Sequence, residues 1–359
     1  MLIQKPRLPM KDIIVYSFLP CFVKKTLYRL KGYRIGRKVS IGFGSIICGK
    51  KVFIGDHTKI GFFTIIRGQE IKIGSHVNIG SITFLDTPFL EIGDDSKINE
   101  QVFVGGLQFH DSRFVLGKNC QVMQMSFINP AKSIIVGDDS GIGGHCLLFG
   151  HASWQSQFEG YPVDFAPIEI GNSVSLTWRV FLMPGIKIGD GSVIGPNSLV
   201  TKDVPPKSLA AGFPARVISR PPDFPKDVSE EQKVDILRNI VEEMISYFNG
   251  SGLRCVKIGD YYEITQEKEF WFFKKVKRFS MSVEYERISK NEFFPKGYNS
   301  SVLVSLRAIP KEVRRELNSR GVMWLDIEKK ERPLFWNDLG DEVALFLRRY
   351  GVRFLRVKE

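Results

Sequence analysis

Five histidines stand in this 359-residue chain, and each is a candidate for moving a proton near neutral pH, where an imidazole titrates unaided. His57 and His76 each lie three residues after an Ile that opens a repeat, in a register that Asp95, Asn119 and Asp139 fill further on. That column reads as polar turn chemistry. His145 falls inside a repeat, and His110 sits in an insertion over residues 105–115 with Asp111 and Arg113. His151 opens the longest insertion, residues 150–167, which also carries Trp154, Glu159 and Asp164. Either acid is of the type that orients an imidazole in a triad, and spacing does not choose between them.

What must position these residues is a repeat. An aliphatic residue, often followed by Gly, recurs in steps of six, at 35/41/47, 54/60/66, 73/79/85, 92/98/104, 116/122/128, 136/142/148, 170/176/182 and 188/194/200. All 24 positions are Ile, Leu or Val. Within each group the step is six, whereas between groups it is 7, 7, 7, 12, 8, 22 and 6. Every added residue therefore enters at the same one of three corners. A solenoid with three short faces per turn predicts this behaviour, its aliphatic column inside and its insertions bulging from one edge.

The hexapeptide pattern resembles that of the hexapeptide-repeat acyltransferases. The match is most specific over Ala166-Pro-Ile-Glu-Ile-Gly-Asn-Ser-Val174, Phe181-Leu-Met-Pro-Gly-Ile-Lys-Ile-Gly-Asp-Gly-Ser-Val-Ile-Gly-Pro-Asn-Ser-Leu-Val200, and Leu209-Ala-Ala-Gly-Phe-Pro-Ala-Arg-Val-Ile218. These segments are similar to the last coils of coenzyme A-dependent sugar and polysaccharide O-acetyltransferases. The resemblance covers residues 35–220 and implies a mainly β fold, a left-handed parallel β-helix of about eight coils. It further implies acetyl-CoA as donor, a sugar or glycan hydroxyl as acceptor, and a homotrimer with sites between subunits. By that match His151 is the general base. Lys202, Ala211, Gly212 and Arg216 border the cofactor, and His110, Asp111, Arg113 and Trp154 are candidates for the acceptor. Two departures stand out: Ser175-Leu176-Thr177 where the family carries a Trp, and Gly195-Pro196-Asn197-Ser198 where it has Gly-Ala-Gly-Ser. Amino-sugar N-acylation and a non-catalytic scaffold are the alternative readings. The γ-type carbonic anhydrases place zinc on the same scaffold, but of the trio His110, His145 and His151 the last two have five residues between them where that family keeps four, so no metal is expected.

Charge is concentrated at the start. The formal net charge is +12, yet residues 1–38 alone hold ten Lys or Arg against Asp12. This distribution excludes a uniformly basic nucleic-acid binder. Apolar and basic residues share residues 12–38, so the segment reads either as a helix capping the solenoid or as an interfacial helix on an anionic membrane, and the two are compatible. Five cysteines without a CxxC pair fit a reduced, cytoplasmic setting, peripheral at the inner membrane face if the interfacial reading holds. No apolar run reaches the roughly 18 residues that span a bilayer, and no signal peptide opens the chain.

The expected organisation is a basic cap at 1–34, the β-helix at 35–220, a Pro-rich linker at 221–227 and an α+β domain at 228–359. In the last, helices are expected over 229–248 (Ile236, Ile240, Val241, Met244, Ile245 and Phe248 on one face), 310–320 and 338–350. A β-meander is expected over 253–307, with strands at 322–327 and 352–357. Residues 270–279 mix aromatics with four basic residues of a kind that meets sugars, and Asp326 with Glu328 form a carboxylate pair without a partner motif.

Overall fold

The computed structural model describes residues 9–270, 273–286, 288 and 297–358. The chain divides into two compact units at Lys226/Asp227. The first is a left-handed parallel β-helix whose three faces are parallel sheets. Face one runs from Arg34–Ile35 to Lys187–Ile188 in eight strands, and face three from Ile46–Cys48 to Leu199–Val200 in eight. Face two starts at Ser40–Ile41 and ends on Leu209–Gly212, against which Ala215–Ser219 turns back antiparallel.

The strands are only a few residues long because each supplies little more than one inward side chain before a corner. All 24 hexapeptide aliphatics are buried and form one continuous column. Each contributes roughly 1.5–3 kcal/mol by leaving water. The corner after face one holds His57, His76, Asp95, Asn119 and Asp139 in the left-handed region, φ +53 to +59°. The corner after face two does the same with Phe63, Ile82, Gln101, Met125, His145, Arg179 and Asn197. The residue after such a corner points inward and hydrogen-bonds to the next coil. Thr58 Oγ1 donates to Gly74 O (2.7 Å), Ser96 Oγ to Gly117 O (2.7 Å) and Cys120 Sγ to Gly137 O (3.0 Å). A Cβ on Gly42 would collide with the carbonyl of Gly61 one coil on, which explains the glycine that follows Ile41. All long insertions leave the corner between faces three and one.

The outward surfaces differ in kind. Face one carries ion pairs across coils, among them Lys72 with Glu91 and Lys187 with Glu169. Face two shows Ser40, Lys59, Asn78 and Lys97 in register. Face three carries an apolar row, in which Ile65, Phe84, Phe103, Phe127, Leu147 and Phe181 follow one another in register, beside an Arg67–Asp86 ion pair. Phe84, Phe103 and Phe127 stack with centroids 5.0 and 4.9 Å apart.

Two helices close the open end, α1 (Met10–Tyr16) and α2 (Cys21–Leu30). Lys24 is wholly buried and donates to Gly42 O (2.8 Å) and Ser45 O (3.0 Å), and burial pushes its pKa down. Tyr28 OH accepts from Ile47 N (3.0 Å), and Arg29 donates to Ile35 O (2.9 Å). With these bonds α2 spans all three faces of the first coil.

The second unit is a seven-stranded sheet with α3 (Glu230–Gly250), α4 (Lys311–Ser319) and α5 (Asp338–Leu347). Ser229 opens α3 with a capping box through Gln232. Leu237, Ile240, Val241, Met244 and Phe248 form the buried face of α3, and Ile236 is 49% exposed, against expectation. Residue 236 lies one position off the i, i+3, i+4, i+7 stripe that Leu237 begins. The expected meander holds for Leu253–Ile258, Tyr261–Phe270 and Phe273–Glu284, but Ser300–Ser305 joins the last of these in parallel. Alternation reports which face a residue takes and not its neighbour's direction. Asp326 is buried and accepts from Arg314 Nη2 (2.7 Å) and Ile309 N (2.8 Å), while Glu328 accepts from Ala308 N (3.0 Å). That pair is tied into the fold. In the aromatic-basic segment, Trp271 and Phe272 lie outside the described residues and Phe279 is buried in the core.

Candidate active site

The insertion after Phe149 is ordered at its base. Ala152 and Asp164 exchange both backbone hydrogen bonds, each 2.8 Å, and the loop turns through a short 3-10 helix at Gln157–Glu159. His151 precedes the bridge. Its ring lies parallel to Phe165 at 6.1 Å between centroids and is tilted against Phe149 at 5.9 Å. The Nδ1 atom is buried with no hydrogen-bond partner, and burial holds the imidazole below its usual pKa. The neutral, proton-accepting form is therefore favoured at pH 7. Asp164 and Glu159 are both exposed, so neither carboxylate buttresses the ring at Nδ1.

The two long insertions meet. Phe109 sets its edge against Phe165 at 5.3 Å, and Lys132 lies over Phe109 at 4.7 Å while pairing with Asp111 at 3.4 Å. His110 is exposed beside this cluster. Arg113 is elsewhere: it begins a strand of face one and lies over Phe89 at 5.2 Å. Trp154 is 97% exposed.

The donor-side candidates fall on two edges. Lys202 is exposed at the corner between faces three and one, the edge that bears His151. Ala211 and Gly212 end a strand of face two, with Gly212 N donating to Ser198 Oγ at 3.1 Å, so they lie at the corner between faces two and three. Arg216 follows in the returning strand, its side chain on Ala215 O. His145 is exposed on this second edge and does not face His151 across a shared cleft. About five residues of extended chain separate the two edges, roughly 15 Å. One chain does not bring His151 and Gly212 together.

Sequence reasoning missed Phe149, Phe165 and Phe109, which no spacing marks as more than apolar. It also missed Trp178 and Arg179, exposed on the edge of Gly212, with Trp178 packed over Gly144. The departures at 175–177 and 196–197 leave the coil intact. Leu176 is buried, Thr177 Oγ1 donates to Ile194 O (2.7 Å), and Asn197 takes the left-handed corner.

Three parallel faces, insertions at a single edge and the closing hairpin define a hexapeptide-repeat domain. No family model matches the chain. It is 33% identical over 132 residues to the galactoside O-acetyltransferase of Escherichia coli K12, covering 36% of this chain and 63% of that protein. It is 40% identical over 91 residues to a putative acetyltransferase of Staphylococcus aureus Mu50, covering 25% of this chain and 43% of that one. The chain thus spans less than two thirds of the curated relatives it matches. A solved UDP-N-acetylglucosamine acyltransferase from Campylobacter jejuni is similar at 20% identity over 60% of this chain and 81% of its own, TM-score 0.37. The repeat domain is similar in sequence to hexapeptide-repeat O-acetyltransferases.

Proposed function

We propose that the protein moves an acetyl group from acetyl-CoA to a hydroxyl of a sugar, on the cytoplasmic side, with His151 as general base. The imidazole takes the hydroxyl proton as the oxygen attacks the thioester carbonyl. The tetrahedral oxyanion is held by main-chain N–H groups, then collapses as the carbon–sulfur bond breaks, and the leaving thiolate recovers the proton. The observation that carries this reading is the buried, unpartnered Nδ1 of His151 on an aromatic shelf, an imidazole kept neutral and close to solvent-exposed loops.

In this reading Ala211 and Gly212 line the pantetheine arm, Lys202 and Arg216 meet phosphates, and His110 and Trp154 face the acceptor. Since His151 and Gly212 occupy opposite edges of face three, the working site forms between copies of a trimer that pack on that apolar face. The stacked Phe84, Phe103 and Phe127 support this arrangement.

The test is calorimetric titration of acetyl-CoA into the wild type and His151→Ala, with thioester consumption followed against a panel of sugars. Binding by both with turnover by the wild type alone upholds the reading. Absence of binding in both overturns it in favour of a scaffold.

A further inference from the structure

The cap formed by α1 and α2 has an inward and an outward side. Inward, Lys24 and Tyr28 are fully buried against the first coil. Outward, six large apolar side chains stay in solvent: Met10, Ile14, Val15, Phe18, Phe22 and Leu30. Ile14, Phe22 and Leu30 are 72%, 70% and 79% exposed, within a stretch of only 17 residues. Phe18 meets Phe43 of the first coil at 5.4 Å, but burying the cap on its own β-helix does not account for the others, because that contact uses the opposite side of α2.

Charge on the same segment has one sign. Lys11, Lys25, Arg29, Lys31, Arg34, Arg37 and Lys38 remain at or near the surface of residues 9–38, with Asp12 the single acid. Among the described residues, only Lys31 (with Asp12) and Arg37 (with Asp56) of these pair with a carboxylate. Lys25 and Arg29 donate to main-chain carbonyls, which satisfies their hydrogen bonds without cancelling their charge. No helix among the described residues is long and apolar enough to cross a membrane.

We infer that the outward side of this cap docks on an anionic lipid bilayer. Met10, Ile14, Val15, Phe18, Phe22 and Leu30 enter the interface between headgroups and acyl chains, while the cations meet lipid phosphates. A neutral partner surface would use the apolar residues and leave the charge unmatched. The fit is to a surface that offers both hydrocarbon and negative charge. The inference is independent of the acyl-transfer reading, since neither His151 nor the donor edges enter it.

The test is co-sedimentation of the full chain with vesicles of phosphatidylcholine alone and of phosphatidylcholine mixed with phosphatidylglycerol. The wild type is expected to partition onto the anionic vesicles at least roughly tenfold more than onto the neutral ones, and to be released by salt. The double variant Ile14→Glu/Phe22→Glu is expected to lose roughly a hundredfold in partitioning, and Lys11→Glu about tenfold. Trp336→Glu, an exposed aromatic of the other unit, serves as the control and is expected to bind as the wild type. Because Ile14 and Phe22 are exposed, the double variant should unfold at the wild-type temperature, which separates lost docking from lost folding. Equal binding to both vesicle types, no binding to either, or binding unchanged in the double variant overturns the inference. So does a change of oligomeric state in that variant, which would assign the surface to a second copy.

Discussion

The ring of Phe165 lies parallel to the imidazole of His151, centroids 6.1 Å apart at 14°, and receives the edge of Phe109 on another loop. Two insertions separated by two coils are thus joined through one aromatic ring, which with Phe149 is packed against His151.

Removing it should change the acidity of the site. In Phe165→Ala the imidazole is hydrated, its pKa rises toward the ordinary histidine value, and less neutral base remains at a given pH below that value. The acidic limb of kcat/KM against pH is expected to move to higher pH. A limb that stays in place would show that Phe165 does not set the protonation of the base. Phe109→Ala, one contact further away, should give a smaller shift in the same direction.

Truncating the proposed base itself should cost the most. His151→Ala is expected to lower turnover by about 10²–10⁴ with little effect on donor binding, measured by thioester consumption and calorimetry. His145→Ala, on the other edge, should leave turnover within about twofold.

The placement of His151 and Gly212 on opposite edges of face three predicts complementation. Chains carrying His151→Ala and chains carrying Gly212→Trp are each expected to be inactive alone and to regain part of the activity when assembled together. Phe103→Asp with Phe127→Asp should reduce the assembled mass in light scattering. Recovery failing in verified mixed assemblies would place the whole site within one chain.

Two neighbouring isoleucines should answer substitution with opposite signs. Ile79 is wholly buried, and Ile79→Ala is expected to lose about 3 kcal/mol in denaturant unfolding. Ile82 is exposed and held at φ +55°, a strained conformation for a β-branched residue, so Ile82→Gly should gain about 1 kcal/mol.

Periodicity made the first unit legible, because each of its 24 inward positions repeats one chemical demand. The polar turn at His57 and His76 was readable for the same reason, and its backbone is left-handed. The opposite corner was not, since Phe63, Ile82 and Met125 carry no turn signature, and its conformation is imposed by the coil around it. His151 was singled out by its place in the longest insertion, but its shelf was hidden: Phe109, Phe149 and Phe165 come together only through loop folding. Face three escaped notice because Phe84, Phe103 and Phe127 are spaced by 19 and 24 residues, beyond any local window. In the second unit, strand direction was lost because alternation carries none, as Ser300–Ser305 shows.

The corners stitched by Thr58, Ser96 and Cys120 fix each turn of the helix at a constant height, whatever length of chain leaves the third edge. Any group on the prism is then located by an integer, the number of turns, and the axial offset between His151 and Gly212 comes in units of one strand spacing, about 4.8 Å. Evolution could lengthen or shorten such a scaffold only in whole turns, such as the 18 residues from Ile170 to Ile188. Loops, by contrast, vary continuously. The molecule thereby separates a digital dimension, along its axis, from an analogue one, in its loops.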